Sequence, residues 1–391
     1  MEDVLISSPL RSAIGKFGGS LKALPAAKVE GFVIKSILET TGVDPGRFDD
    51  VIIGNVIVAG EKMNPARQAA IYGGVPETVP AMTVNRVCGS GLQAVVSGIM
   101  EIQSGYARMV LAGGMENMDQ APYLLTGARY GYRMGEGKVY DALLTDGLND
   151  AFTDKHSGLI TDEYLVPTYG VTRLEQDEFS VESHRKAAAA IDEGRFKAQI
   201  VPIPVGKDVI FDTDESVRRD STVEKLGTLK PAFKADGTIT AGNAPGVNSG
   251  ASAMILSTPA LAEQFHLDVF GKVRGYAVAA VDPNMFGIAP IYAIRAALER
   301  AGVSPGDVDL FEVNEAFAAI AIVVQKELGI PADRLNVNGG AVALGHPIGA
   351  SGAMILTKLL HELRRTGGKL GVASLCIGGG QGIALVVENT R

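Results

Sequence analysis

The chain has 391 residues, 46% hydrophobic and 20% charged, with a formal net charge of −8. That length leaves room for two or three domains with an ample core, and the composition is that of a globular, water-soluble protein. No long basic cluster is present, which argues against nucleic acid or a membrane surface as the main partner; basic pairs such as Arg218-Arg219 still fit a small anionic ligand.

Val4 to Ser7 reads as a short strand, and residues 26–40 have helical spacing. The N-terminus lacks a basic n-region and an apolar h-region, so no secretory signal is expected. Two cysteines, Cys88 and Cys376, cannot build a disulfide framework, which points to a reducing, cytoplasmic compartment. An apolar run, residues 79–84, leads to Cys88, and a helical pattern follows at Leu92, Val95, Val96 and Ile99. Gly89, Ser90 and Gly91 supply the tight turn between them. A cysteine at a helix N-terminus is expected to ionise readily, because free N–H groups and the positive dipole end favour a thiolate. The same stretch, Gly89-Ser-Gly91-Leu-Gln-Ala94, also matches the G-x-G-x-x-A dinucleotide fingerprint, which leaves an NAD-binding oxidoreductase as a rival.

A repeat emerges farther on. Gly42-Val-Asp-Pro-Gly46 precedes an apolar strand that ends at Asn55; Gly302-Val-Ser-Pro-Gly306 precedes one that ends at Asn314. Ser90-Gly91 and its helix correspond to Ser351-Gly352 and its helix, and the strand at 108–114 corresponds to that at 370–378. The chain is therefore expected to be an α/β protein with two copies of one βαβαβ-type unit. In the second copy the last two strands are joined by Gly379-Gly-Gln-Gly382. In the first, the partner strand is 251–257, so residues 119–241 form an insert with an amphipathic helix over 176–193. The expected boundaries are 1–118 plus 242–266 for the first half, 119–241 for a loop domain, and 267–391 for the second half. Ligands of open α/β sheets bind over the strand ends, where this insert would lie. The run at 316–324 is too short to span a bilayer and belongs to a buried helix expected over 315–328, with Asn314 placed to cap it.

Asn85-Arg-Val-Cys-Gly-Ser-Gly, Asn314-Glu-Ala-Phe, Gly345-His-Pro-Ile-Gly and Cys376-Ile-Gly-Gly-Gly-Gln-Gly together resemble the thiolase family, in its acetoacetyl-CoA (acetyl-CoA C-acetyltransferase) branch, over essentially the whole chain. The resemblance implies a thiolase-like fold and reversible condensation of two acetyl-CoA to acetoacetyl-CoA. Cys88 is similar to the family's acyl-carrying nucleophile, His346 to the base that takes its proton, and Cys376 to the acid/base at the α-carbon. Asn314 resembles the residue that, with His346 and a water, holds the thioester oxygen; backbone N–H groups of Cys88 and Gly378 would hold the other oxyanion. His156, Arg218, Phe233 and Leu148 fall where the family binds coenzyme A. Residues 119–141 resemble the segment that makes a homotetramer from two dimers. No permanently bound cofactor and no metal are implied; coenzyme A thioesters are the substrates. The chain departs from the common pattern at Ser157, Phe286 and Pro245, all near the substrate. Ser157 removes bulk, and Phe286 resembles members that accept 2-methyl-branched acyl groups. Pro245 cannot donate the hydrogen bond of the usual serine. A thiolase for longer or branched 3-oxoacyl-CoA is thus an alternative, and a non-catalytic thiolase-like scaffold a more remote one. His184, His266 and His361 read as surface or near-surface residues.

Overall fold

The computed structural model describes residues 2–390. In chain order its principal elements are β1 (Leu5–Ser12), α1 (Ala26–Thr41), β2 (Asp50–Gly54), α2 (Pro65–Gly73), β3 (Ala81–Val84), α3 (Ser90–Ser104), β4 (Met109–Asn117), α4 (Arg173–Asp192), β5 (Asn248–Ser257), β6 (Val269–Ala280), α5 (Ala289–Ala301), β7 (Leu310–Val313), α6 (Ala318–Leu328), α7 (Ser351–Thr366), β8 (Leu370–Ile377) and β9 (Gln381–Asn389). The nine strands run in the order β7-β8-β9-β6-β1-β5-β4-β2-β3.

That order carries the repeat. From the middle outward, β1-β5-β4-β2 matches β6-β9-β8-β7. β2 pairs parallel with β4, and β4 antiparallel with β5; likewise β7 pairs parallel with β8, and β8 antiparallel with β9. The halves join where β1 pairs antiparallel with β6. The two Gly-Val-x-Pro-Gly segments do the same job: α1 ends at Gly42 (φ 64°) and α5 at Gly302 (φ 69°), both in the left-handed conformation that a helix end favours.

Burial explains the layering. β4, β5 and β8 are buried along their whole length, so both faces need cover and the strands read as unbroken small and apolar runs. Helices α3 and α7 pack on one another between the halves; Leu92, Val95 and Ile99 share one core with Leu356, Leu360, Leu375 and Leu385. α1 and α2 cover the outer face of the first half, while α5 and α6 cover that of the second.

Between β4 and β5 lie residues 118–247, which hold two small hairpins, several short helices and α4. Thr172 and Glu175 form a reciprocal capping box at the start of α4. The segment is stitched to the core. Ile200–Val201 pairs parallel with β1, and Arg11 of β1, wholly buried, meets Asp214 at 2.8 Å and Gln199 at 2.8 Å. Removing either member of such a buried ion pair costs about 3–5 kcal/mol.

Three local expectations need correction. The helix expected from residue 315 starts at Ala318, with Phe317 in extended conformation as its N-cap, and the Ala318 N–H donates to the Asn243 carbonyl. Asn314 therefore does not cap it. The strand expected from 251 begins at Asn248. His184 lies in the interior at 1% exposure, its Nδ1 accepting from the Arg218 N–H.

Candidate active site

The parallel strand pairs of the two halves open toward the same place. Gly54 of β2 stands opposite Gly114 of β4, and Val313 of β7 opposite Ser374 of β8. Two residues beyond those registers, Glu116 and Cys376 occupy equivalent positions. The residues that follow β2 and β7 are Asn55 and Asn314. These strand ends support two loops, one carrying Cys88 and one carrying His346.

The Cys88 loop is held under backbone strain. Val87 adopts φ 45°, a conformation that a β-branched residue rarely takes. Its N–H donates to Asn85 Oδ1 at 2.9 Å. The Ser90 hydroxyl donates to the Val87 carbonyl at 2.7 Å and accepts from the Arg86 N–H at 2.8 Å. The thiol is thereby brought under two N–H groups, its own and that of Gly378, both of which favour its ionised form. Burial nevertheless dominates. It pushes the Cys88 thiol up to about 11, and the Glu116 carboxylate adds to the rise. This corrects the expectation of a ready thiolate: Cys88 precedes the N-cap Gly89 instead of occupying the first helical turn. The enclosing protein costs the anion more than the helix end returns. Cys376, 1% exposed, is also pushed up, first by burial and then by Cys88.

His346 sits in the second loop, 6% exposed. Its backbone N–H donates to Asn248 Oδ1 at 2.9 Å, Asn314 Nδ2 lies 3.3 Å from its Nε2, and Ser351 Oγ lies 2.6 Å from its Nδ1. Burial lowers its pKa to about 4, so the imidazole is neutral at physiological pH and able to accept a proton.

A cavity of about 430 Å3 opens onto these groups. Its wall contains Cys88, His346 and Gly378 together with Leu148, His156, Ser157, Phe233, Pro245 and Phe286. His156 stacks on Phe233 with ring centroids 4.6 Å apart, and Phe317 meets Phe233 edge-on at 6.3 Å. His156 also caps the short helix Ser157–Ile160, its Nδ1 accepting from the Gly158 N–H at 3.0 Å. Gly158 is required there, since a Cβ would run into the Phe233 ring. Three expected site residues lie off this wall. Asn314 is behind His346, and Cys376 is buried close to Cys88. Arg218 is exposed beside the mouth, its guanidinium donating to the carbonyl of the wall residue Ala241.

The dinucleotide reading of 89–94 fails on packing. The start of α3 is covered by α7; a Cβ on Gly91 would come within 2.8 Å of the Ala353 nitrogen and 2.9 Å of the Gly349 carbonyl. No pyrophosphate has room there. Sequence reasoning missed Glu116, which is fully buried and accepts from Asn55 Nδ2, the Val56 and Ile57 N–H groups and the Gly349 N–H. It ties the end of β2 to the His346 loop. A lone charged residue inside an otherwise apolar strand was its only signal. No group of residues suited to a metal ion occurs among the described residues, and no helix among them is long and apolar enough to cross a membrane.

Comparison with known proteins places this geometry. The family model of the thiolase N-terminal domain matches residues 4–260, and that of the thiolase C-terminal domain residues 267–389. The chain is 52% identical over 391 residues to an acetyl-CoA acetyltransferase of Pseudomonas aeruginosa, covering 99% of both chains. It is 50% identical to one of Cupriavidus necator, covering 99% of this chain and 100% of that one. The crystal structure of the Bacillus anthracis acetyl-CoA acetyltransferase superposes with a TM-score of 0.97 at 43% identity, over 100% of this chain and 99% of that chain. With both halves matched and the strained cysteine loop facing a buried histidine, the chain belongs to the thiolase family.

Proposed function

We propose that the protein is an acetyl-CoA C-acetyltransferase that carries the acyl group on Cys88. The observation that supports this best is the convergence of Cys88, His346 and the Gly378 turn on one cavity wall, with Cys376 buried beside Cys88.

In the cleavage direction, neutral His346 takes the Cys88 proton as Sγ attacks the 3-carbonyl carbon of acetoacetyl-CoA. General-base help is needed because burial keeps the free thiol protonated. The Cys88 and Gly378 N–H groups receive the oxyanion. Collapse breaks the C2–C3 bond, and the electron pair left on C2 takes the Cys376 proton, releasing acetyl-CoA. A thiol whose pKa burial has raised is a strong base once ionised, which suits exchange with a carbon acid. Incoming coenzyme A gives its proton to the Cys376 thiolate, attacks the acetyl-Cys88 carbonyl, and Cys88 leaves and regains its proton from His346. Asn314, with its amide against His346, holds the thioester oxygen. Condensation is the reverse.

The segment 119–241 supplies the coenzyme A site: Leu148, His156 and Phe233 along the pantetheine and Arg218 at the adenine end. Its protruding part, 119–141, joins dimers into a homotetramer. No permanently bound cofactor is required, and two cysteines that both work as thiols fit a cytoplasmic enzyme.

Thiolysis is the test, with acetoacetyl-CoA, 2-methylacetoacetyl-CoA and a six-carbon 3-oxoacyl-CoA compared side by side. Fast turnover of acetoacetyl-CoA alone supports the assignment. A preference for a larger substrate transfers it to a longer-chain or branched thiolase, the reading favoured by Ser157 and Phe286 both lying on the cavity wall. No turnover of any of them would leave the scaffold reading standing.

A further inference from the structure

The contacts around His346 point to a residue that is off the cavity wall and that the sequence marks only as part of the repeat. We propose that Ser351 is a positioning residue that fixes the His346 tautomer, holding the proton on Nδ1 and keeping Nε2 as the lone pair that accepts the Cys88 proton. The proposal rests on the role given to His346 above.

Ser351 is the first residue of α7, 3% exposed, and its hydroxyl has two partners. Oγ lies 2.8 Å from the Pro347 carbonyl, which can only accept, and 2.6 Å from His346 Nδ1. A hydroxyl has one hydrogen. If it goes to Pro347, Nδ1 must be the donor to Oγ. The other side of the ring agrees. Asn314 presents its amide nitrogen to Nε2 at 3.3 Å. In the opposite tautomer an N–H would face an NH2 group across that gap; with the proton on Nδ1 the same contact is a hydrogen bond. The backbone leaves the ring little freedom, since the His346 N–H is anchored to Asn248 and a Cβ on Gly345 would come within 2.6 Å of the Asn248 side chain.

The repeat lends independent support. Ser90, the counterpart of Ser351 at the head of α3, also uses its hydroxyl on the loop just before it, donating to the Val87 carbonyl and accepting from the Arg86 N–H. Each central helix thus begins with a serine whose hydroxyl shapes the loop that bears a reactive side chain. In the first half it clamps the backbone around a thiol, and in the second it reaches the ring itself. Behind the ring a cavity of about 20 Å3 is bounded by Ser351, Asn314, Arg11 and Lys358, and Lys358 is paired with Glu312 at 3.0 Å. Of these, Ser351 and Asn314 touch the His346 ring, and no carboxylate is among the ring's hydrogen-bond partners. A serine hydroxyl does here what a carboxylate does in other histidine-based sites, without adding charge.

The test begins with the unmodified enzyme. Nitrogen-15 spectra of histidine-labelled protein at pH 7.5, with His346 assigned by its loss in H346N, should show Nδ1 protonated and Nε2 bare. A bare Nδ1 overturns the proposal whatever any variant does. S351A should then give a mixed tautomer signal for His346 and a kcat for acetoacetyl-CoA thiolysis lowered about 10- to 100-fold, with KM within about twofold. S351T, which keeps the hydroxyl, should recover most of the kcat. An S351A enzyme with the wild-type spectrum and kcat overturns the positioning role and leaves acyl transfer through Cys88 untouched. Full activity of H346N would instead overturn the base role itself.

Discussion

The two halves of the core are the same fold put to different uses. In the first, the connection from β4 to β5 is a long segment that builds a wall of the cavity. In the second, the equivalent connection is the three residues Gly378, Gly379 and Gly380. At the matching strand positions the first half places Glu116, bonded all round by protein donors, and the second places Cys376, packed beside the reactive thiol. Asn55 serves Glu116, whereas Asn314 serves His346. On the proposed mechanism, one half holds the loops in place while the other supplies most of the proton chemistry, and the nucleophile comes from the half that is otherwise structural. Duplication gave two equal frames, and function divided the labour between them.

The sharpest way to break that comparison is to remove each half's reactive group. C88S should form no acyl-enzyme by intact mass and lose at least about 10^3-fold in kcat; an acyl adduct on that variant would displace Cys88 from its role. C376S should still take up an acetyl group on Cys88 from acetyl-CoA, whose thiolate is a good leaving group, yet lose about 10^2- to 10^4-fold in turnover, the worth of a general acid/base. Loss of acylation as well would merge the two roles. N314A should cost about 10^2- to 10^3-fold in kcat, as one oxyanion donor does, with the fold intact by circular dichroism.

A smaller effect tests the structural half. E116Q puts an NH2 group where Glu116 faces only donors, so it should destabilise the protein by about 1–3 kcal/mol in urea. Its kcat should fall only about tenfold through the loosened His346 loop. C376S should show the reverse pattern, with turnover lost and stability kept. If both variants behaved alike, the division of labour would be wrong. The smallest effect is thermodynamic. Burial depresses His346, His184 and His361 to about 4 from an ordinary 6.5. Each binds its proton less well folded than unfolded, so their contribution is complete above pH 6.5 and is lost as pH falls through about 4. The thermal midpoint should decline over that window, and a flat midpoint down to pH 4.5 would mean these rings are hydrated.

Much of this was legible in the residues. The repeat was readable because matched turns, Gly42-Val-Asp-Pro-Gly46 and Gly302-Val-Ser-Pro-Gly306, punctuate matched apolar strands, and the strand order bears it out. Cys88, His346 and Cys376 stood out because reactive side chains lay beside glycine-rich turns, and Asn314 because it closed a strand in a motif that resembles the same family. What escaped the sequence was environment. The rise in the Cys88 pKa comes from burial among residues distant in sequence, with Glu116 adding to it. The burial of His184 comes from its packing inside the insert. The start of α6 at Ala318 depends on the Asn243 carbonyl far along the chain. Glu116 is an ordinary residue locally, and its importance appears only when β2 and the His346 loop are brought to it from distant parts of the chain; the partners of Ser351 are near in sequence, but only the folded loop turns its hydroxyl onto the His346 ring.

The packing of α3 against α7 has one more consequence. Cys88, the proposed nucleophile, stands at the head of one helix and His346, its proposed base, ahead of the other, so the distance between them is a property of the seam and of neither half alone. Catalysis is therefore a proximity sensor for that seam. During mild denaturation it should vanish as soon as the halves part, while each still keeps its strands and helices, and turnover would report their docking before any spectroscopic probe of secondary structure changes.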